Sequence, residues 1–330
     1  MSDVIRVAVL GAGGLGKAAA AVLERKREMR LVAVCDRGGI VHSPAGVDSG
    51  ALVNLDPKRF VSDLAGGRAT KDSIGEMIEL GKAGAWDGVF LALPNLPNEF
   101  FPSVLTRFLD AGVSTCYVDA LKRTRAAELM FALHDRVVAT KGTYLLGCGA
   151  TPGLLTAAAV VAAQSFVSVE KVKIRWGVGI ANWDAYRATV REDIAHLPGY
   201  TVEKAQAMTD AEVDALLDKT DGRLVLEEME HADDLMLQRA GVVDRADQVE
   251  VGGVLDTRSA RKPVTTTMTI TGTTFQGLQA THTFSLGDET SMAANVIGPA
   301  LGYLKRALWL RGRGIYGIFG STEQMPMIVR

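Results

Sequence analysis

Short apolar runs alternate with amphipathic stretches through the first half of the chain. Continuous apolar runs are typical of strands buried on both faces, and they are found at residues 5–10, 31–35, 88–93, 114–118 and 143–146. Apolar residues at helical spacing lie between them, at residues 15–28, 74–83, 100–111 and 123–138. Strands that alternate with helices pair in parallel through right-handed crossovers. We therefore predict an α/β fold in which residues 1–150 form a doubly wound parallel sheet.

The second half has a different texture, dominated by two runs of strict alternation. Residues 264–271 place Val264, Met268 and Ile270 at even positions and threonine at every odd position. Residues 278–286 repeat the pattern, with apolar residues and His282 at even positions and polar residues at odd ones. This alternation predicts an antiparallel pair with one buried and one polar face.

The rest of the second half completes the predicted domain organisation. A strand is predicted at 169–179, helices through most of 182–245, and a further helix at 299–310. We therefore predict a second α+β domain with a mixed or antiparallel sheet over residues 151–310. Four glycines mark the tail, residues 311–330, which we expect to return to the first domain.

Composition narrows the class of protein. The 36 Lys and Arg residues nearly balance the 38 Asp and Glu residues, so neither nucleic acid nor an anionic membrane is expected as a partner. No apolar run reaches the roughly 18 residues that a membrane helix needs, and no signal peptide is predicted, so we expect a cytoplasmic protein. The three cysteines are widely spaced and no two histidines have metal-ligand spacing, so neither disulfides nor a metal site is expected.

A glycine-rich turn carries the clearest chemistry. The sequence GAGGLG, residues 11–16, directly follows the first predicted strand and opens the first predicted helix. In such a turn the first glycine permits the tight bend, the second lets the backbone approach a pyrophosphate, and the third lets helix and strand pack closely. The unpaired N–H groups at the helix N-terminus then face the phosphates. We therefore predict a Rossmann-type dinucleotide site at Gly11, Gly13, Gly14, Leu15 and Gly16.

The end of the second strand bears on which dinucleotide is bound. Asp36 lies 20 residues beyond Gly16, the spacing expected for a carboxylate bonded to the adenosine ribose. A carboxylate there repels the 2′-phosphate of NADP and so favours NAD. Arg37 follows immediately, and a guanidinium there is able to stack on adenine or to pair with that phosphate. The sequence favours NAD and leaves NADP open.

The later strand ends should face the nicotinamide, because ligands of open parallel sheets bind at the carboxyl ends of the strands. Pro94 and Asn95 are expected at the nicotinamide ribose or carboxamide. Asp119 is interpreted as the acceptor for a substrate ammonium, with a helix N-cap as the alternative. Lys122 is interpreted as a proton donor or carboxylate anchor, with a solvated surface lysine as the alternative. A substrate-binding helix start is predicted at Thr151, Pro152 and Gly153.

These segments together resemble a known family. GAGGLG, ALPN at 92–95, VDA at 118–120 and GCGATPG at 147–153 are similar to the amino-acid and opine dehydrogenases of the saccharopine reductase and diaminopimelate dehydrogenase group. Thr151 stands where that group usually has aspartate. The resemblance implies hydride transfer between NAD or NADP and an amino acid or imine carbon. From their positions at a strand end, we take Asp119 and Lys122 as the catalytic residues. A weaker resemblance, to homoserine dehydrogenases, rests on GGIVHSPAGVD at 38–48 and implies oxidation of a hydroxy acid or semialdehyde.

Two further expectations concern partners. The substrate should be a small carboxylate-bearing amine, which Arg187 and Arg191, four residues apart, could clamp unless they are simply solvated. A protein that binds a dinucleotide without turning it over is the alternative to an enzyme. The threonine-rich face of 264–271 and 278–286 favours a homodimer or higher homo-oligomer over a face that meets water or roofs the cleft.

Overall fold

A computed structural model of the chain describes residues 4–95, 97–181, 183–288 and 291–330. The described residues contain thirteen strands in two sheets. In chain order, the strands are β1 Ile5–Leu10, β2 Met29–Asp36, β3 Gly39–His42, β4 Gly67–Ala69, β5 Gly88–Leu91, β6 Cys116–Asp119, β7 Thr143–Leu146, β8 Phe166–Gly179, β9 Arg223–Leu226, β10 Val249–Asp256, β11 Thr266–Thr274, β12 Gln279–Leu286 and β13 Gly317–Gly320.

The described residues also form twelve α-helices, most of which cover the two sheets. They are α1 Gly14–Leu23, α2 Ser49–Val53, α3 Ser73–Lys82, α4 Phe100–Asp110, α5 Thr124–Phe131, α6 His134–Ala139, α7 Leu154–Ala163, α8 Arg187–Ile194, α9 Val202–Ala207, α10 Asp210–Lys219, α11 Asp233–Arg239 and α12 Met292–Arg311. None of the described helices is long and apolar enough to cross a membrane.

The first sheet has eight strands in the order β13-β7-β6-β5-β1-β2-β3-β4. Strands β13 to β2 pair in parallel, while β3 and β4 add an antiparallel edge. Alternate residues of β1 explain why its run is continuously apolar: Ala8 and Leu10 join the core on one face, and Val7 and Val9 join the core on the other. The predicted doubly wound α/β domain is confirmed.

Helix α12 and the tail belong to the first domain. Ile297, Leu301 and Leu304 pack into the core on one face of the first sheet, and β13 pairs with β7 at its edge. We expected the second domain to extend to residue 310, but the structure places this long helix on the first sheet. The apolar side chains of α12 cover strands β5, β6 and β7. This packing could not be inferred from sequence, because α12 follows the strands of the second domain along the chain.

The second sheet has five strands in the order β12-β11-β8-β10-β9. The predicted antiparallel pair of β11 and β12 is confirmed, with Thr269 opposite Thr283. The inner face of β11 packs Met268 and Ile270 against β8 and α7, as the alternation predicted. This mixed, mostly antiparallel sheet is the α+β second domain.

Strand β12 departs from the prediction that its even positions are buried. It is the edge of the sheet and overhangs the core, so His282 and Phe284 are exposed. The threonine face also differs from expectation, because β8 contributes a row of cations to it. Lys171, Lys173 and Arg175 lie opposite threonines of β11, and all three pair with Glu250 of β10.

Candidate active site

A cavity of about 600 Å³ lies between the two domains, at the carboxyl ends of the parallel strands. The first domain contributes the glycine-rich turn and the residues that follow β2, β5, β6 and β7. The second domain contributes β8 residues, the stretch from Tyr186 to Thr189, and His231. The predicted strand ends therefore lie together in one cleft, as expected for an open parallel sheet.

The glycine-rich turn has the geometry that a dinucleotide requires. Gly11 has a φ of +110°, and a Cβ there would lie 2.2 Å from the carbonyl oxygen of Ala92. A Cβ on Gly16 would lie 1.9 Å from the carbonyl oxygen of Gly11, so this glycine allows the helix to pack on the turn. A Cβ on Gly13 would meet no described atom within 4 Å. Gly13 is thus the position where the backbone is open to a pyrophosphate.

Asp36 and Arg37 occupy the end of the cavity beyond β2. The Asp36 carboxylate accepts N–H bonds from Gly38, Gly39 and Val61, at 2.8, 3.2 and 2.9 Å. These bonds hold the carboxylate at the strand end, where an adenosine ribose would lie. The Arg37 guanidinium stacks on a neighbouring ring, 5.3 Å from the centre of Phe60.

Lys122 lies in a carboxylate cage formed by α8. Its Nζ lies 3.0 Å from Oδ1 of Asp193 and 3.5 Å from Oε2 of Glu192, and its side chain is 18% exposed while each carboxylate is 3% exposed. Asn95 donates to Oε2 of Glu192 at 3.2 Å and accepts a long bond from the Lys122 backbone N–H. Lys122, Asn95 and Asp193 line the cavity, so this lysine is not a solvated surface residue.

The electrostatics of the cage keep Lys122 charged. Burial lowers the pKa of Lys122, but the Asp193 and Glu192 carboxylates outweigh it and raise that pKa above its ordinary value. Burial raises the pKa of Glu192, opposed by the Lys122 ammonium. Nearby His196 shows the reverse effect, since burial and the charges of Lys122 and Arg123 lower its pKa to about 4. The site therefore holds an ammonium proton at Nζ and a neutral imidazole at His196 at neutral pH.

Thr151 is part of a second polar group. Its Oγ1 donates to the two carboxylate oxygens of Asp233, at 2.8 and 2.7 Å, and Asp233 is fully buried. Oδ2 of Asp233 lies 2.5 Å from Nδ1 of His231, close but not aligned as a hydrogen bond. Thr151 and His231 both line the cavity. The group brings an imidazole to the same cleft as Lys122.

Asp119 does not reach the cavity and has a different role from the predicted one. It is fully buried, and its carboxylate accepts bonds from the N–H groups of Leu121 and Gly147 and from the hydroxyl of Tyr144, at 3.0, 2.7 and 2.7 Å. Burial raises the pKa of Asp119 to about 6, against these three bonds. It joins the loops after β6 and β7 and so positions Lys122 and Thr151. Its own carboxylate neither faces a substrate nor caps α5.

The remaining predicted residues divide between the cavity and its supports. Pro94 lines the cavity, whereas Pro152 and Gly153 are buried behind Thr151. Helix α7 begins at Leu154 with Gly153 as its N-cap, not at the predicted Thr151–Pro152 pair. A Cβ on Gly153 would lie 2.0 Å from the carbonyl oxygen of Gly149, which explains the glycine.

The predicted carboxylate clamp of α8 is occupied by acidic side chains. Arg187 pairs with Asp184 and Asp210, and Arg191 pairs with Asp210 at 2.7 Å. Cys148, which lies in the third ligand-facing segment, is fully buried, and burial raises the pKa of its thiol. Among the described residues, no group of three His, Cys, Asp or Glu side chains is arranged to hold a metal ion.

Sequence reasoning missed the residues that the second domain brings to the site. His231 lies in the acidic stretch EEMEHADD, whose composition favours a solvated side chain, yet it is 3% exposed at the cavity wall. Glu192 and Asp193 could not be identified as site residues from sequence either, because an acidic pair on a helix is ordinarily exposed. Their partners are seventy or more residues away in sequence, so no local pattern could have revealed them.

The chain has a curated relative along its whole length, although no family model matches it. It is 42% identical to the protein named (S)-8-amino-7-oxononanoate synthase BioU from Haloferax mediterranei, over 98% of this chain and 99% of the relative. The chain belongs to the BioU family. This BioU-family member therefore shares a full-length architecture with an enzyme, and its two domains are both part of the likeness.

Solved structures with the same fold confirm the resemblance to amino-acid dehydrogenases. The BioU-family chain matches an engineered D-amino acid dehydrogenase bound to NADP+ with a TM-score of 0.58 at 16% identity, covering 97% of this chain and 94% of that one. It matches the diaminopimelate dehydrogenase of C. glutamicum with 0.57 at 16%, covering 97% and 93%. It matches the saccharopine dehydrogenase of Saccharomyces cerevisiae with 0.54 at 12%, covering 96% and 94%. At these identities the likeness shows the fold.

Proposed function

We propose that this chain is a nicotinamide-dependent enzyme that moves a hydride between the cofactor and a carbon that bears nitrogen, in an aliphatic amino-oxo acid. The observation that carries the proposal is a single cavity that joins the glycine-rich turn to Lys122 and His231. The fold of amino-acid dehydrogenases supports this class of reaction, and the name of the BioU relative supports an aliphatic amino-oxo acid as the molecule handled.

NAD is the cofactor that the site favours. The backbone at Gly13 and the N-terminus of α1 would hold the pyrophosphate, and the Asp36 carboxylate would accept bonds from the adenosine ribose. Three backbone hydrogen bonds hold that carboxylate in one orientation, so it would repel the 2′-phosphate of NADP. When bound, the nicotinamide supplies or accepts the hydride.

Lys122 would supply the proton that accompanies the hydride. When a hydride adds to the carbon of a C=N bond, the π electron pair moves to nitrogen, which then takes a proton from Nζ. In the reverse direction Nζ takes that proton back. The Asp193 and Glu192 carboxylates keep the ammonium form available, and Asn95 holds Glu192 in place. His231, backed by Asp233, stands as a second acid–base group at the same wall.

The second domain lines the cavity with a mostly apolar wall. The (S)-8-amino-7-oxononanoate in the relative's name has a ketone beside an amine at one end of a methylene chain and a carboxylate at the other. Each methylene buried against such a wall contributes about 0.8 kcal/mol. A substrate of this class fits a cleft that is polar at Lys122 and apolar along its side, lined by Trp176, Val178, Ile180, Met229, Leu255 and Leu286.

The test combines cofactor binding with turnover. Purified protein is titrated with NADH and NADPH, then mixed with 8-amino-7-oxononanoate and ammonium while the absorbance of the reduced nicotinamide and the product mass are followed. We expect tighter binding of NADH and an amine product in which the ketone is replaced. Lys122→Met should abolish turnover and retain NADH binding. The control is Lys173→Met, which changes a lysine on the threonine face of the second sheet and should behave as the natural protein. Failure to bind either dinucleotide contradicts the proposal, and binding without turnover of amino-oxo acids supports a non-redox role.

A further inference from the structure

The second domain rests an aromatic ring directly on the glycine-rich turn. A Cβ on Gly14 would lie 2.2 Å from Cε1 and 2.6 Å from Cδ1 of Tyr186, which immediately precedes α8. Gly14 has no left-handed φ, so its backbone conformation does not require glycine. The ring of Tyr186 is what excludes a side chain at Gly14. The contact places Tyr186 beside the N–H groups that a pyrophosphate would use.

The other end of α8 carries the carboxylates that hold Lys122. Glu192 and Asp193 lie six and seven residues beyond Tyr186, which is about 10 Å along a helix at 1.5 Å per residue. Val190 and Ile194 anchor the helix in the core of the second domain, where both side chains are fully buried. Because α8 is short and held by these two residues, a displacement of its Tyr186 end is passed along the helix as a small change in how Glu192 and Asp193 sit against Lys122.

We propose that Tyr186 is a latch that couples occupancy of the dinucleotide site to the carboxylate cage around Lys122. The inference rests on the proposed nicotinamide site and adds a positioning residue to it. The ring already contacts the turn, and a pyrophosphate bound there adds a second surface against it, which fixes α8 and tightens the hold of Asp193 and Glu192 on Nζ. The groups that face this cage are Arg123, His196 and His231, besides the two carboxylates themselves. The cage thus holds Nζ in one position most firmly when the cofactor is in place.

A double-mutant cycle on NADH affinity tests the contact. Gly14→Ala should weaken NADH binding at least tenfold, because its methyl group pushes the ring and α8 away from the turn. Tyr186→Ala should weaken binding severalfold. The variant with both changes should bind no more weakly than Tyr186→Ala alone, because the methyl group has room once the ring is absent. Independent, multiplying effects of the two changes would show that ring and turn do not touch, and would overturn the latch.

The reactivity of Lys122 tests the coupling. ADP-ribose is the probe, because it has the pyrophosphate and lacks the nicotinamide ring that would itself cover the lysine. Acetylation of Lys122, followed by peptide mass spectrometry, should slow at least threefold with saturating ADP-ribose in the natural protein and not change in Tyr186→Ala. Tyr200→Ala, which removes a half-buried tyrosine away from the turn, should keep the threefold effect.

The outcomes separate the latch from the proposed function. If the natural protein binds NADH and ADP-ribose but Lys122 reacts at the same rate with and without ADP-ribose, the latch is wrong and the nicotinamide site stands. If the natural protein binds neither NADH nor ADP-ribose, both the site and the latch fail.

Discussion

Replacement of Gly13 by alanine should separate cofactor binding from folding. The backbone at Gly13 has φ −74° and ψ −162°, which any residue adopts, and an added Cβ meets no described atom within 4 Å. Since alanine restricts the unfolded chain but is a poorer N-cap than glycine, we expect the free energy of unfolding to change by no more than about 1 kcal/mol.

The same methyl group points into the space reserved for the pyrophosphate. It would hold the phosphates away from the N–H groups of the turn, and each charge-assisted hydrogen bond lost costs about 1.5–3 kcal/mol. Since about 1.4 kcal/mol is tenfold in affinity, we expect the Kd for NADH to rise between tenfold and a hundredfold.

Gly16→Ala is the matched control for the same turn. Its Cβ would lie 1.9 Å from the carbonyl oxygen of Gly11, and overpacking against backbone costs about 1–3 kcal/mol or more. Thermal melts and NADH fluorescence titrations of both variants therefore give opposite patterns: Gly13→Ala keeps its Tm and loses affinity, while Gly16→Ala loses Tm. Natural affinity for NADH in Gly13→Ala would refute the placement of the pyrophosphate.

Three further predictions concern the supports of the site, its pH dependence and assembly. Asp119→Asn should keep NADH affinity and turnover, because an amide oxygen still accepts the backbone bonds, whereas Asp119→Ala leaves buried donors unpaired and should cost on the order of 3 kcal/mol in urea unfolding; loss of turnover in a folded Asp119→Asn would restore its predicted catalytic role. Because the pKa of His196 is lowered to about 4, its neutral form contributes stability that is present above its ordinary value near 6.5 and lost as the pH falls towards 4. After allowance for its partial exposure, about 1 kcal/mol should be lost between pH 7 and pH 5, and His196→Gln should lose less; equal losses in both proteins would contradict this assignment. We propose that a second copy packs on the threonine face, so sedimentation should give twice the chain mass of 35.1 kDa and Thr267→Arg or Thr283→Arg should give single chains; a single-chain mass for the natural protein would exclude the dimer.

The first domain was predictable because its signals are local. Strand β7 has the predicted bounds, since it is a short, mostly apolar run that ends at a glycine. The glycine-rich turn was predictable for the same reason, because its bend, its open backbone and its helix packing are all set within six residues. Strand β3 is not among the predicted strands, because its pairing with β2 depends on a bend at Gly38 and Gly39 rather than on an apolar pattern.

The polar half of the site could not be predicted from local patterns. Asp119 ends a strand just as a substrate-facing carboxylate would, and only the positions of Tyr144 and Gly147 show that it points into the protein. Strand β10 was missed because Gly252 and Gly253 interrupt its apolar pattern. Atoms of the adjacent strands lie too close to Gly252 and Gly253 to leave room for a side chain. This requirement depends on the tertiary structure and cannot be seen in the sequence.

The central claim is that the interdomain cavity transfers a hydride to a carbon that bears nitrogen. The most direct measurement uses NADH deuterated at the transferable position of the nicotinamide, mixed with the protein, 8-amino-7-oxononanoate and ammonium, with the product analysed by mass spectrometry. We expect one deuterium on the carbon that carried the ketone, no such product from Lys122→Met, and natural labelling from Lys173→Met. An amine product without deuterium, formed by a protein that binds NADH, would contradict hydride transfer at this site.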